Sequence, residues 1–414
     1  MKIKVKKTDY EKFLQIEPYP KKNPCKQSYL LKKLVEFIAR KDLKMCKFHA
    51  DFHDMDKLGD EPALILMNHS SFIDLEIAFK LFKDRRFNIV ATDDGFVGKE
   101  VLLRKLGCIP TLKFISDPVL VKHMIYAVKT LRQSILMYPE ASYSFDGTAT
   151  ALPKSIGKCI KLLNIPVVIV NTHGAFLRDP LYNNLQIRNV EVSADVTYVL
   201  SKEDIKSMRP DEILSKVDKY FDFDNFKEQY EKKIYVKEAF RADFLNRILY
   251  KCTECGSEGN TLGKGTSFTC KSCGMTAELS ELGRLRGSKL KFSHIPDWYK
   301  WQRECVREEI KNGTYEIKEE VKIYGLRDLK ALYELGDGVL THNCNGFELK
   351  MNNETIFSLS PKMQYSLYSD YYWYELGDSI CIGDDKSRFY CIIKSERDVV
   401  AKARIAQEEM FTIL

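Results

Sequence analysis

An imidazole and a carboxylate five residues apart, His69 and Asp74 in Met67-Asn68-His69-Ser70-Ser71-Phe72-Ile73-Asp74, are the first groups in this chain suited to moving a proton. The preceding Ala63-Leu64-Ile65-Leu66 run is short, apolar and led by Pro62, which reads as a buried strand ending near Met67. Ser71-x-x-Asp74 then opens an apolar-periodic segment, Leu75 to Phe82, the pattern of a helix start. On one helix, residues five apart point about 140° away from each other. The two side chains therefore meet only if His69 lies in the strand-to-helix turn and Asp74 in the first helical turn. There the carboxylate accepts one ring N–H and fixes the tautomer, while the other ring nitrogen is left to take a proton from a hydroxyl. The structural alternative is a capping box of Ser71 and Asp74 beside an ordinary turn histidine.

Asn68-His69-x4-Asp74 resembles the first motif of the glycerophospholipid acyltransferases, which acylate lysophosphatidic acid and related lysophospholipids. Their second motif, a Gly followed six residues later by a basic residue, is similar to Gly107-Cys108-Ile109-Pro110-Thr111-Leu112-Lys113, with Lys where Arg is usual. Tyr138-Pro139-Glu140-Ala141-Ser142-Tyr143-Ser144 resembles the third motif, and Ile165-Pro166-Val167-Val168-Ile169-Val170 the Pro-bearing strand of the fourth. Ala141 and Ser142 replace Gly and Thr, and Tyr143 stands where Arg is expected. The resemblance covers about residues 30 to 220. It implies His69 as general base and Asp74 as its orienting partner. It also implies substrate contacts from Asn68, Lys113, Glu140 and Ser142, Lys113 taking phosphate and Glu140 the acceptor's glycerol. Arg104, with Lys105, is a further candidate for phosphate. The implied reaction moves a fatty acyl group from acyl coenzyme A or acyl carrier protein to a lysophospholipid hydroxyl, with 1-acylglycerol-3-phosphate as the expected acceptor.

The elements that must position these groups alternate. Phe87 to Thr92, Ser134 to Tyr138, Pro166 to Asn171 and Glu191 to Leu200 read as strands. Gly98 to Leu106, Asp117 to Arg132 and Pro153 to Leu163 read as helices, with more helix from Pro210. Such alternation predicts an α/β fold, a mostly parallel sheet with helices on both faces and active groups beyond the carboxyl ends of its strands. His173, beside Gly174, is read as a turn residue.

Charge is uneven. The chain has 414 residues and a formal net charge of +7, yet residues 1 to 47 hold fourteen Lys or Arg against five Asp or Glu, leaving the remainder slightly acidic. Tyr29 to Phe48 places Leu30, Leu31, Leu34, Val35, Phe37, Ile38 and Met45 at helical spacing, with Lys32, Lys33, Arg40 and Lys41 among them. A basic amphipathic helix packs on its own domain or lies in an anionic membrane interface. No apolar run reaches bilayer-spanning length, and Met1 to Lys7 lacks a signal-peptide core, which predicts a cytoplasmic protein, peripheral on the inner face of the membrane. No recognition motif for nucleic acid accompanies the charge.

Cys252-x-x-Cys255-Gly256 and Cys270-x-x-Cys273-Gly274, with fourteen residues between the pairs, have the spacing of a zinc ribbon, and four thiolates closed to substrate make a structural zinc site. Two disulfides are the competing reading; eight other scattered cysteines argue for reduced thiols. Beyond it lie a helix started by His294-Ile295-Pro296-Asp297-Trp298 and running to about Asn312, a series of short strands from Tyr315 to Ile393 and a helix from Ala401 to Leu414. This tail has a pattern-level resemblance to pleckstrin-homology modules. His342, Cys344 and the Tyr365 to Tyr374 aromatics are read as its core. The expected domains are 1–245, acyltransferase-like with the basic helix; 248–290, zinc ribbon; and 291–414, β-rich. The ribbon, basic amino terminus and β-rich tail favour a non-catalytic alternative, which the altered third motif permits: a zinc-ribbon membrane- or nucleic-acid-binding regulator with a degenerate acyltransferase core.

Overall fold

Along Leu64–Met67, alternate side chains enter two different apolar layers. Leu64 and Leu66 pack with Met124, Ala127, Ile156, Ile160 and Ile213, whereas Ile65 and Met67 pack with Ala39, Leu43, Ile77, Ala78 and Phe79. A strand covered on both sides has this two-residue period with no polar face. The computed structural model describes residues 3–288 and 290–414. Its first sheet has seven strands in the spatial order His49–His53, Ser193–Leu200, Val167–His173, Leu64–Met67, Ser134–Met137, Phe87–Thr92 and Cys108–Thr111. Neighbours are parallel except Val167–His173 against Ser193–Leu200. Helices Tyr29–Met45 and Ile73–Leu81 cover one face; Pro118–Lys129, Ser155–Leu163 and Pro210–Asp218 cover the other. The approach of helix Ser155–Leu163 to helix Pro210–Asp218 depends on Gly157, where a Cβ would lie 1.9 Å from the Pro210 carbonyl oxygen.

Helix Tyr29–Met45 turns an unexpected side inward. Lys32, Ala39 and Leu43 are its buried residues, while Leu30, Leu34, Phe37, Ile38 and Met45 are exposed. The Lys32 ammonium is satisfied inside by donating to the carbonyls of Phe82 (2.7 Å), Lys83 (3.0 Å) and Arg85 beyond the end of helix Ile73–Leu81. Backbone carbonyls left open at a helix end are suitable acceptors for a buried ammonium. No described helix is long and apolar enough to cross a membrane.

Strands Thr261–Lys264, Ser267–Cys270, Thr276–Leu279 and Leu285–Arg286 form a small antiparallel sheet, with Cys270 ending its second strand and Cys252, Cys255 and Cys273 outside its strands. After helix Ile295–Lys311 comes a larger sheet. Glu316–Leu326, Leu332–Asn343, Gly346–Met351 and Glu354–Leu359 form one antiparallel meander; Tyr368–Trp373, Gly377–Gly383 and Arg388–Ile393 form another, joined where Glu316–Leu326 pairs with Arg388–Ile393. His342 is in this core, stacked on Phe347, as read from the sequence.

The amino terminus departs from the expected division. Val5–Lys7, assigned by sequence to the first domain, pairs in parallel with Leu332 to Glu334 of the last sheet. Phe13 follows it down, filling the space over Gly325, where a Cβ would lie 2.4 Å from the ring. One apolar cluster also runs from Phe145, Phe176 and Phe226 through Phe268 and Trp298 to Ile405 and Met410. The first sheet's loops, the cysteine-bearing sheet and the last helix thus share a core.

Candidate functional site

The chain reverses between the end of strand Leu64–Met67 and the first turn of helix Ile73–Leu81, and the reversal brings His69 Nδ1 to 3.1 Å from Asp74 Oδ2. The same oxygen accepts the backbone N–H groups of Ser70 (2.7 Å) and Ser71 (3.0 Å), so the carboxylate is fixed before it meets the ring. Half of the expected capping box is therefore present. The other half is shifted by one residue: Ser71 Oγ accepts from Ile73 N (3.3 Å), Asp74 N donates to the Ser71 carbonyl (3.3 Å), and the Ser71 hydroxyl donates to Asp179 Oδ1. Asp74 is fully buried, while about a fifth of the His69 side chain (19%) remains exposed. Tyr138 and Tyr143 stack on opposite sides of the imidazole, each with its centroid at 4.0 Å. Stacking covers the faces of the ring and leaves its Nε2 edge without a hydrogen-bond partner among the described residues. Burial holds the imidazole below its ordinary value; Asp74 opposes that shift and the Lys113 charge adds to it. A neutral ring that donates at Nδ1 and carries a lone pair at Nε2 is able to accept a proton there.

Glu140 lies just past strand Ser134–Met137, beside this pair. Its two oxygens accept the backbone N–H groups of His69 (3.3 Å) and Thr150 (2.7 Å), and burial pushes its carboxyl up to about 7. That arrangement ties two loops together, which differs from the expected open contact with glycerol. Asn68 likewise faces inward. Its Oδ1 accepts from Thr172 N and Oγ1, and its Nδ2 donates to Thr172 O at 3.2 Å, so the side chain expected on substrate links two strands. Arg104 is directed elsewhere: it pairs with Glu100 (2.8 Å) and donates to the Lys22 carbonyl, holding the amino-terminal segment. A salt bridge within its own helix and a nearby carbonyl engage Nε and Nη1, while Nη2 is buried without a hydrogen-bond partner, and the side chain is not part of the His69 cluster.

Lys113 follows strand Cys108–Thr111 as the second motif predicts, but its ammonium lies 4.2 Å from the ring centre of Tyr368, on the last sheet. Burial lowers its affinity for a proton, and Asp94 and Asp370 oppose that effect. Ser142 accepts a hydrogen bond from Arg404 Nη2 at 2.7 Å. Lys113 and Ser142, both expected to meet substrate, thus meet the carboxyl-terminal part of the chain.

Sequence reasoning did not single out Tyr143, Asp179 or Arg404 as parts of the site. Asp179 is 108 residues from its partner Ser71, and burial pushes its carboxyl up to about 7. No local pattern announces such a pair. For Arg404 there is a signal: a lone guanidinium within Val399-Val400-Ala401-Lys402-Ala403-Arg404-Ile405-Ala406, where small and apolar residues imply burial on every side.

The four predicted metal ligands do converge. The sulfurs of Cys252, Cys255, Cys270 and Cys273 all lie within 4.8 Å of one another, with Cys252 to Cys273 at 3.7 Å and Cys255 to Cys270 at 3.8 Å. Sulfurs about 2.3 Å from a tetrahedral zinc are separated by roughly 3.8 Å, so the donor set fits the ion, and these distances exclude disulfides. Gly256 and Gly274, both at φ 73°, make the turn after each pair, in backbone space where a side chain would be strained. Their N–H groups bond back to the Cys252 and Cys270 carbonyls. Four thiolates leave no open coordination position, so the ion would hold the fold together.

No family profile matches the chain, and no curated protein is recognisably similar to it in sequence. Among solved structures, the 1-acyl-sn-glycerophosphate (LPA) acyltransferase PlsC from Thermotoga maritima aligns with 46% of this chain and 76% of its own, at 14% identity and a TM-score of 0.38.

Proposed function

We propose that the chain transfers a fatty acyl group from an acyl thioester to the free hydroxyl of a lysophospholipid, 1-acylglycerol-3-phosphate being the expected acceptor. The observation that carries this reading is the His69–Asp74 pair at the carboxyl end of a central parallel strand, with Nε2 unpartnered. His69 Nε2 takes the hydroxyl proton as the oxygen attacks the thioester carbonyl. The tetrahedral adduct then expels the thiol, which leaves with that proton. The substrate oxygen is the nucleophile, so no acyl-enzyme forms. Asp74 keeps Nδ1 protonated and stabilises the imidazolium between the two steps. Lys113 meets the acceptor's phosphate once Tyr368 gives way, as a point charge without the fork of an arginine. The donor is acyl coenzyme A or acyl carrier protein. The cysteine cluster, holding zinc, has a folding role.

The exposed apolar side of helix Tyr29–Met45 supports a lipid surface as the partner. Leu30, Leu34, Phe37 and Ile38 lie outward, with Lys33, Arg40, Lys41 and Lys44 on the same helix. Phe72, also exposed, packs edge-on against Tyr143, which stacks on His69. A face of this kind would bring the site to the lipid–water boundary where the acceptor resides.

A second reading is favoured by one specific feature. The last sheet and last helix engage Lys113 and Ser142 directly, as they would in a regulator whose acyltransferase-like core no longer turns over. Supplying the purified protein with labelled acyl coenzyme A and a panel of lysophospholipids separates the two, since only the enzyme consumes thioester in an acceptor-dependent way.

A further inference from the structure

The loop after strand Ser134–Met137 contains a costly turn. Ala141 sits at φ 58°, in left-handed space where its Cβ crowds a neighbouring carbonyl oxygen and glycine is favoured. Within the loop, Ala141 N donates to Tyr138 O (3.0 Å), and Ser144 N donates to His69 O (3.3 Å). What grips the two residues between comes from the other end of the chain. Arg404, on helix Val400–Ile413 and 4% exposed, donates from Nη2 to Ser142 Oγ (2.7 Å) and from Nη1 to Tyr143 O (3.2 Å). Its Cζ lies 4.4 Å from the centre of the Phe145 ring.

The guanidinium is itself oriented from behind. Its Nε donates to Glu408 Oε1 (3.2 Å), one helical turn on, and Glu408 also accepts from Ser366 Oγ (2.7 Å) and Arg303 Nη2 (2.6 Å). A fork fixed on both sides holds two acceptors in one geometry, which an ammonium on a flexible stem does not. The residue so held, Tyr143, is the one whose ring lies against His69. Arg404 has no contact with the imidazole. The groups that do face it are Asp74 from helix Ile73–Leu81; Tyr138, Glu140 and Tyr143 from this loop; and, at longer range, the Lys113 charge.

We propose that Arg404 is a positioning residue for the His69–Asp74 pair, acting through Tyr143: the carboxyl-terminal helix clamps a strained turn and thereby keeps one face of the base covered. The last helix is then part of the site. This deepens the acyl-transfer reading and depends on it only in the kinetic arm of its test.

The primary test needs no turnover. In full-length protein with isotope-labelled histidine, the His69 resonance is assigned by its loss in His69→Gln and titrated by NMR. In the unaltered chain it titrates below the ordinary histidine value, because the ring is covered. Arg404→Gln frees Tyr143 and raises the midpoint by about half to one pH unit toward that value. Arg404→Lys, which keeps the charge and loses the fork, gives a smaller rise. Adding Ala141→Gly to Arg404→Gln, which lets the turn form without the clamp, brings the midpoint back down. An unchanged midpoint in a folded Arg404→Gln or Arg404→Lys protein overturns the proposal. So does a shift that Ala141→Gly leaves untouched.

In the kinetic arm, the acid limb of kcat/KM moves to higher pH in Arg404→Gln in step with the NMR midpoint. A limb that stays in place while the midpoint moves overturns the link to the base. Complete inactivity of the unaltered protein counts against the acyl-transfer reading alone, because the NMR result still decides the positioning role.

Discussion

Asp74 Oδ2 accepts three N–H groups at once, from the His69 ring at 3.1 Å and from the Ser70 and Ser71 backbones at 2.7 and 3.0 Å. One oxygen therefore closes the turn and orients the imidazole. Asp74→Asn should lower kcat by about 10²–10⁴-fold with little change in KM, because an amide does not stabilise the imidazolium. Asp74→Ala should in addition destabilise the fold by about 1–3 kcal/mol, since the buried backbone N–H groups lose their acceptor. Steady-state kinetics and denaturant titration of the two variants separate these effects. Equal kcat in Asp74→Asn and the unaltered chain would mean the pair is only a cap.

The strand–turn–helix around His69 was legible because a short unbroken apolar run gives way to apolar residues at helical spacing within Ala63 to Phe82, and a turn is the simplest way to join those patterns. The cysteine spacing was legible for a similar reason: four ligands in two short turns specify their own geometry. What escaped was long-range. Val5–Lys7 joins a strand more than three hundred residues away, and Arg404 reaches Ser142 across 262 positions. Contacts of that span leave no trace in local periodicity. Glu140 and Asn68 escaped differently: their residue types suit substrate contact, but backbone N–H groups of the turn and the neighbouring strand occupy their oxygens first.

His342 predicts a signature in acid. Its ring is buried against Phe347 at 3.6 Å, with Nδ1 2.8 Å from the Tyr315 hydroxyl, and burial pulls it down to about 3. A histidine depressed in the folded state contributes stability that is full above its unfolded value, near 6.5. That contribution is lost as pH falls from there toward 3. Melting curves between pH 7 and 4 should show a steeper fall in Tm for the unaltered chain than for His342→Phe. Parallel slopes would place the acid sensitivity elsewhere.

Metal removal is expected to act beyond the cysteines. Cys252 and Cys270 belong to the apolar cluster that includes Phe268, Trp298 and Met410, and Glu258, between the two pairs, bonds Lys402 of the last helix at 2.8 Å. One zinc per chain should be released by chelation with thiol titration, and Tm should fall by at least about 5 °C, restored by added zinc. A chain that carries no metal and melts unchanged with chelator would contradict this.

The outward side of helix Tyr29–Met45 predicts binding to anionic lipid. Leu34→Glu combined with Phe37→Glu alters only exposed positions, so Tm should hold while partition onto anionic vesicles falls about tenfold or more. Binding should also weaken with salt and be smaller on neutral vesicles. Equal partition of the variant and the unaltered chain in a vesicle sedimentation assay would remove this helix from the interface.

The central claim is that His69 removes a proton from a lipid hydroxyl. It is tested most directly by acceptor-dependent consumption of labelled acyl coenzyme A or acyl carrier protein, comparing the unaltered chain with His69→Ala at matched vesicle binding. The expected result is acylated lysophospholipid in the first case and at least a thousandfold loss, to about background, in the second. Equal rates in both, or no acylation of any lysophospholipid by a folded, metal-loaded protein, would contradict it.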